Sequence, residues 1–299
     1  MSIGNTPVIS GYVDKRSISA NARSRTLAYS GRDKAAVLVD CSAVVSRWTY
    51  RQVSADAFAS EIAKPFGVRV RVQDGLVLPK IDKVSITPGD SAYDAIRRAT
   101  ADLGVLLISD AAGGLVISRA GTERAATALE EGVNILSASV EYDGAERYRR
   151  YVVVNQSAAT DEASGNATRV LAEAVDESIR ADRVLLIRPE KSGTAKDARQ
   201  RADWEARIRA ARAETVTIAV QGWTQPNGAV WPINAIANVR ASSLIGVNGD
   251  MLISQAEHTI GDGGRVTQLR LVRPDAFTPE PKASVGPSGL WKELVNGGL

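Results

Sequence analysis

Thr87-Pro88-Gly89-Asp90-Ser91-Ala92-Tyr93-Asp94-Ala95-Ile96 is the best-punctuated stretch of this chain. Thr87 and Ser91 each have an Asp three residues on. That is the spacing at which an N-cap hydroxyl and an N3 carboxylate satisfy each other's free backbone N–H groups. Two overlapping capping boxes therefore mark a helix start, with Pro88 at the first helical position if Thr87 is the cap. Ala92, Ile96, Ala99 and Leu103 then share one face, and Gly104 ends the helix. Beyond it, residues 105–108 and 115–118 flank Asp110-Ala111-Ala112-Gly113-Gly114 as a hairpin. Upstream, Ser54 reads as an N-cap, Asp56 sits in the first turn, and Phe58, Ile62 and Phe66 recur every four residues before Pro65 and Gly67 close the helix. A short strand is expected at 68–72. Residues 49–120 thus make a compact α/β module.

The flanks read as β. Residues 8–13 and 26–30 are expected strands, and Gly31-Arg32-Asp33 turns toward apolar residues 36–41. Two strands alone are marginal in water, so this piece must pair with something else. After residue 120, strands are expected at 137–142, 151–154, 184–187, 216–220, 238–240, 251–254 and 266–272. Residues 155–178 are polar and poorly patterned and read as a long exposed excursion. Gly-rich turns between short strands point to a closed or nearly closed barrel, which removes exposed edges. A helix over 194–213 carries the acid-to-base pairs Asp197–Arg201, Asp203–Arg207 and Glu205–Arg209, with a thin apolar face of Trp204, Ile208 and Ala211. The expected organisation is a β segment (1–48), the module (49–120), a second β domain (121–275) with its excursion at 155–180, and a Pro/Gly-rich tail (276–299). The fold class is α+β, mainly β.

Composition bounds the chemistry. The chain has 299 residues, one Cys, one His and a net charge of +3, with 28 Arg against nine Lys. One cysteine excludes an internal disulfide framework, and one histidine leaves only carboxylate-based metal sites open. No stretch approaches the roughly 20 apolar residues of a membrane helix, and the start lacks a basic region followed by an apolar run. A soluble protein of a reducing cytoplasm is expected, without a signal peptide or stable membrane association. Interspersed charges and 5% aromatics argue against nucleic acid as the main partner. The arginines suit bidentate interface ion pairs instead.

No catalytic constellation stands out. Cys41 reads as a small core residue and His258 as a strand-end polar residue, with no nucleophile–base–orienter trio. Gly31-Arg32-Asp33 and Gly261-Asp262-Gly263-Gly264 lack the Gly-Lys-Ser/Thr of a phosphate loop, and the second is a hairpin turn. Asp176 with Glu177 and Glu130 with Glu131 read as solvated charges. No catalytic residue, cofactor or metal ligand is assigned. Four of the five Trp follow residue 200, and Trp and Arg are enriched at interface hot spots, so Trp204, Arg207, Trp223 and Trp231 are candidate subunit-interface residues. The Gly-Asp-Ser entry at 89–91 is similar to that of a LysM-type module, a peptidoglycan-binding fold.

Several segments together carry a wider resemblance: Ile9-Ser10-Gly11-Tyr12-Val13-Asp14, Ser30-Gly31-Arg32-Asp33, Leu38-Val39-Asp40-Cys41-Ser42, Ile86-Thr87-Pro88-Gly89-Asp90-Ser91 and Gly114-Leu115-Val116-Ile117-Ser118-Arg119. Residues 148–156, Arg201-Ala202-Asp203-Trp204-Glu205, Gln221-Gly222-Trp223 and Arg273-Pro274-Asp275-Ala276-Phe277 continue it. In this order they resemble the Mu-like phage tail protein P family, the baseplate hub of contractile tails. The resemblance implies β-barrel hub domains with a small inserted LysM-like module. It implies a homotrimer arranged as a pseudo-sixfold ring between tail tube proteins and a central spike protein, contacting other baseplate proteins. DNA would pass through its lumen only transiently, and the place of action would be the virion tail baseplate after assembly in the host cytoplasm. Family members carry several dozen residues before the Gly-Tyr strand. The first barrel is therefore expected to be abbreviated, completed by another chain, or preceded by sequence not given. The alternatives kept open are a peptidoglycan-binding tail protein and a muralytic tail-tip enzyme.

Overall fold

The computed structural model describes residues 1–121, 123–156, 169–188 and 194–281. The chain divides into two compact units, Met1–Thr122 with Gly228–Val230, and Glu123–Asn227 with Trp231–Leu299.

The first unit opens with a two-residue pair, β1 (Ser2–Ile3) and β2 (Thr6–Pro7). A long antiparallel hairpin follows, β3 (Gly11–Ala20) and β4 (Arg25–Asp33). The polar stretch expected after residue 13 is the continuation of β3 past a bulge between Val13 and Lys15. The strands touch closely there. A Cβ on Gly31 would stand 2.0 Å from the Tyr12 carbonyl oxygen, and one on Gly11 would stand 1.9 Å from that of Arg32. Residues 36–40 of the apolar stretch are helical, contrary to the β reading of this flank. Asp33 caps a 3₁₀ turn by accepting from the Ala36 N–H, and α1 (Val37–Asp40) follows with Leu38 fully buried.

The rest of the unit runs β5 (Thr49–Ser54), α2 (Ala55–Ala63), β6 (Val70–Val72), β7 (Lys80–Ser85), α3 (Ala92–Thr100), β8 (Leu106–Ser109) and β9 (Leu115–Ser118). β5 pairs with β7, and a second sheet has the order β6-β9-β8. The periodic residues predicted for α2 and α3 form the core: Phe58, Ile62, Ala92 and Ile96 are fully buried, joined by Leu38, Tyr50 and Ile117. Tyr50 and Phe58 meet edge to face at 5.0 Å. Each of the two expected capping boxes forms only in part. Ser91 accepts from the Asp94 N–H and heads α3. The Asp90 carboxylate instead accepts from the Thr87 N–H within a turn and holds Arg98 at 2.9 and 3.0 Å. One helix has one first turn, so the upstream box became its approach.

The second unit runs β10 (Glu123–Arg124), β11 (Leu129–Glu130), β12 (Ile135–Tyr142), β13 (Arg150–Gln156), β14 (Arg169–Val175), β15 (Val184–Ile187), α4 (Ala195–Arg212), β16 (Glu214–Gln221), β17 (Ala235–Ala241), α5 (Ser242–Ile245), β18 (Val247–Gly261) and β19 (Gly264–Val272). Its large sheet has the order β10-β17-β18-β19-β16-β12, with β11 also on β17. Alternate residues Val216, Ile218 and Val220 of β16 and Leu269 and Leu271 of β19 point into one core with Val239, Met251 and Ile253. The opposite margins, β11 and β12, are consecutive in sequence and joined only by residues 131–134, so the sheet must curl to bring them near. Asn134 fixes that turn, accepting from the Glu130 N–H and donating to the Ala128 carbonyl.

The expected closed barrel is not formed among the described residues. No ladder joins β12 to β11, because β10 and β11 are two residues each and offer too little edge to the eight-residue β12. A separate sheet, β14-β13-β15, lies under α4. β14 falls inside the stretch read as an exposed excursion; it pairs in register with all seven residues of β13. Residues 157–168 and the tail from 282 onward lie outside the described residues.

Candidate functional site

The helix expected over 194–213 with a thin apolar face is docked along one side. Thr194 and Asp197 form a full capping box, which removes Asp197 from the expected pair with Arg201. Ala198, Ala202, Ile208 and Ala211 are buried, and Ala198 and Ala202 pack on Tyr151, Val153 and Ala174 of the sheet below. Small side chains let the helix approach closely, which an apolar-stripe count based on large residues misses.

Glu205, 6% exposed, is the centre of the charged contacts. Its two oxygens accept from Arg201 and Arg209, each at 2.8 Å. Arg209 also reaches Glu146 at 2.9 Å. Burial pulls the Arg209 guanidinium toward neutrality, but the bonds to Glu205 and Glu146 outweigh it and hold the group above its ordinary value. Nearby, burial alone would raise Asp176. Hydrogen bonds from Ser178 and from Arg147 at 2.6 Å reverse that and leave its carboxyl below the usual range. Arg183 and Arg209 stand over the Tyr148 ring, and Tyr148 meets Tyr151 edge to face at 6.0 Å. This is a structural lock of α4 on its sheet. Glu205 and Asp176 each accept from two side-chain donors, whereas Glu146 is exposed and holds only Arg209.

The other candidates lie in different units. Cys41 is half-buried in the first unit, following α1. His258 lies in β18 of the second, with Nδ1 2.9 Å from the Thr267 hydroxyl. That hydroxyl donates its single proton to the Gly222 carbonyl at 2.7 Å, so Nδ1 carries the imidazole proton and donates. Burial lowers the His258 pKa and keeps the ring neutral. Asp262-Gly263 is the tip of the β18–β19 hairpin, and Gly31-Arg32-Asp33 is the end of β4, where Arg32 bonds Asp14 and Asp40. Among the described residues no group of three His, Cys, Asp or Glu could hold a metal ion, and no helix is long and apolar enough to cross a membrane. A depression of about 270 Å³ in the first unit is lined by Gln73, Asp74, Gly75, Leu76, Val77 and Arg119, turn residues without a catalytic pair.

The four interface candidates are not equivalent. Arg207 is exposed on α4. Trp204 is half-buried, its indole donating to the Thr278 carbonyl, and Trp223 is half-buried under Arg265, donating to the Thr259 carbonyl. Trp231 is 4% exposed and belongs to the core of the large sheet. What sequence reasoning missed is the apolar face of β3–β4. Val13, Ile18, Leu27 and Tyr29 are exposed there, with Tyr12 exposed on the opposite face, and period-two alternation across residues 25–31 was the available signal.

Known proteins give this arrangement a context. Residues 35–119 match the model described as baseplate hub protein gp44-like, second domain, and residues 194–280 match that of Mu phage baseplate assembly protein GpP, fourth domain. Baseplate hub protein gp44 of Escherichia phage Mu is 31% identical over 288 residues, covering 93% of this chain and 75% of that protein. The chain belongs to the Mu baseplate hub family. The 43 kDa tail protein of prophage MuSo2 from Shewanella oneidensis superposes with a TM-score of 0.80 at 31% identity, covering 94% of this chain and 82% of the other. A tail protein from Neisseria meningitidis MC58 has the same fold, with a TM-score of 0.72 at 20% identity over 91% and 82%. Hub proteins of this family are parts of the tail baseplate of a virion.

Proposed function

We propose that this chain is a structural hub subunit that works as a homotrimer, forming a pseudo-sixfold ring that joins the tail tube to the central spike and lines the DNA ejection channel. The observation that carries the reading is the hairpin β3–β4, which leaves four large apolar residues, Val13, Ile18, Leu27 and Tyr29, exposed on one face. Contiguous exposed apolar surface of this kind marks an interaction site. In the ring, the open margin of the large sheet is completed into a barrel-like wall by neighbouring copies, and the Gly89–Tyr93 turn and α3 belong to a LysM-like module that decorates it. Arg207, Trp204 and Trp223 are the proposed contact residues, with Trp231 supporting them from the core. Tube, spike and other baseplate proteins are the partners, and assembly takes place in the host cytoplasm. A net charge of +3 suits a channel that must release DNA, because each neutralised phosphate strengthens retention.

Native mass measurement of the protein, alone and mixed with its spike, tests this. Trimers or a trimer–spike complex are expected. A strictly monomeric particle at high concentration with spike present would overturn the reading. Retention on purified peptidoglycan and clearing on cell-wall zymograms are both expected to be negative.

A further inference from the structure

Charge is interspersed over most of this chain but not in the β3–β4 hairpin. Residues 11–33 hold five cations, Lys15, Arg16, Arg23, Arg25 and Arg32, and two acids, Asp14 and Asp33. Their difference is the whole +3 of the chain, and the remaining residues balance. Both acids are used at the hairpin's base. Asp14 accepts from Arg32 at 2.7 Å, and Asp33 caps the 3₁₀ turn that follows. Arg32 is held by Asp14 and Asp40. Lys15, Arg16, Arg23 and Arg25 have no ion-pair partner among the described residues, and no carboxylate occurs from Lys15 to Arg32. Directly opposed residues of an antiparallel pair share a face. Arg16–Tyr29, Ile18–Leu27 and Ala20–Arg25 lie on the apolar face, whereas Lys15–Ser30, Ser17–Ala28 and Ser19–Thr26 line the other. That second face is a row of four hydroxyls beside a cation. All of it is exposed, and none of the four hydroxyls has a hydrogen-bond partner among the described residues. The tip is ordered: Asn21 accepts from the backbone N–H groups of Arg23 and Ser24 at 2.9 Å each, which sets Arg23 at the end of the ribbon.

We infer that this hydroxyl face and the basic tip form a contact for the sugar-phosphate backbone of duplex DNA. Phosphate oxygens accept from Ser and Thr hydroxyls and from Lys and Arg, and a carboxylate among them would repel the backbone. A two-stranded ribbon is also slim enough to lie in a DNA groove. An acidic protein would answer the same charge, but the hydroxyl row has no apolar centre of the kind a protein interface buries. Contacts of this type read no sequence, and so few of them hold a duplex loosely enough to let it pass. The contact presupposes the channel reading above and gives it a surface, on the face opposite the apolar one.

Fluorescence anisotropy of a labelled duplex of about 30 base pairs, titrated with the full chain, tests it. Raising salt from about 50 to about 200 mM is expected to weaken binding about tenfold for two neutralised phosphates and about a hundredfold for four. Lys15→Ala with Arg23→Ala should weaken binding about tenfold at the lower salt and flatten its salt dependence. Ser17→Ala with Ser19→Ala should weaken it about threefold with the salt dependence unchanged, because a hydroxyl releases no counterion. Lys80→Ala with Lys83→Ala removes the same charge from exposed positions of β7 and should leave binding within about twofold. Equal losses from the two charge variants would reduce the contact to overall charge and overturn it, and an affinity unmoved by the serine variant would overturn its assignment to this face. Trimers on native mass with the duplex unbound at the lower salt would overturn the contact and leave the ring reading standing. Monomers with the duplex unbound would remove both.

Discussion

The two long hairpins of this chain, β3–β4 and β18–β19, are built alike and end differently. Both alternate apolar and polar residues, both carry a bulge, and both turn tightly. In β19, Leu269 and Leu271 are wholly buried because β16 and the curl of the large sheet cover their side. In β4, Leu27 and Tyr29 stand 45% and 59% exposed because nothing lies over them. The same local code yields a core strand in one place and an uncovered arm in the other. Strand patterning therefore reports that a face wants cover without saying what supplies it.

Substitutions separate the two cases, and the largest effect is expected in the covered hairpin. Leu269→Ala removes a fully buried side chain and should cost about 3 kcal/mol in urea unfolding of the dilute chain. Leu27→Ala, its counterpart in the uncovered hairpin, should change that stability by less than about 0.5 kcal/mol while weakening association. Equal losses at the two positions would erase the distinction. Between them lies α4, held by charge over small residues. Glu205→Ala removes one carboxylate partner from each of two part-buried guanidinium groups, leaving Arg209 with Glu146 and Arg201 with Glu280, and should cost about 2 kcal/mol.

Acid sharpens the same point. The Asp176 carboxyl is depressed by Ser178 and Arg147 against its burial, so its contribution is present at neutral pH. That contribution is lost as pH falls from the unfolded value of about 3.9 through the lower folded one. Asp176→Asn should flatten that acid limb in thermal melts. The smallest effect belongs to His258. Its folded pKa is lowered, so stability is lost as pH drops below about 6.5 and the unfolded chain binds the proton first. His258→Gln should remove a shallow slope in Tm below about pH 6.5.

Legibility in the sequence followed the range of the forces involved. α2, α3 and the hairpin β8–β9 were readable because caps, four-residue apolar spacing and a Gly-Gly turn are local. The β18–β19 turn was readable for the same reason. β14 was not, because Arg169–Val175 is polar and Ala-rich and becomes a strand by pairing with β13. The docking of α4 escaped because its contact face is mainly alanine, which carries no amphipathic contrast against arginine and glutamate. The expected barrel ended as an open sheet because closure depends on two short strands meeting one long one. For the candidate interface, Trp and Arg enrichment pointed to α4 and the Trp223 turn, whereas the exposed face itself was written in the alternation of β4.

Hydrogen exchange on the hairpin amides, followed from dilute to concentrated protein, tests most directly whether copies supply the missing cover. The account predicts that amides of residues 11–33 exchange freely in dilute solution and become protected as copies associate, while those of β18–β19 stay protected throughout. Equal protection of both hairpins in dilute monomer, unchanged on concentration, would contradict it.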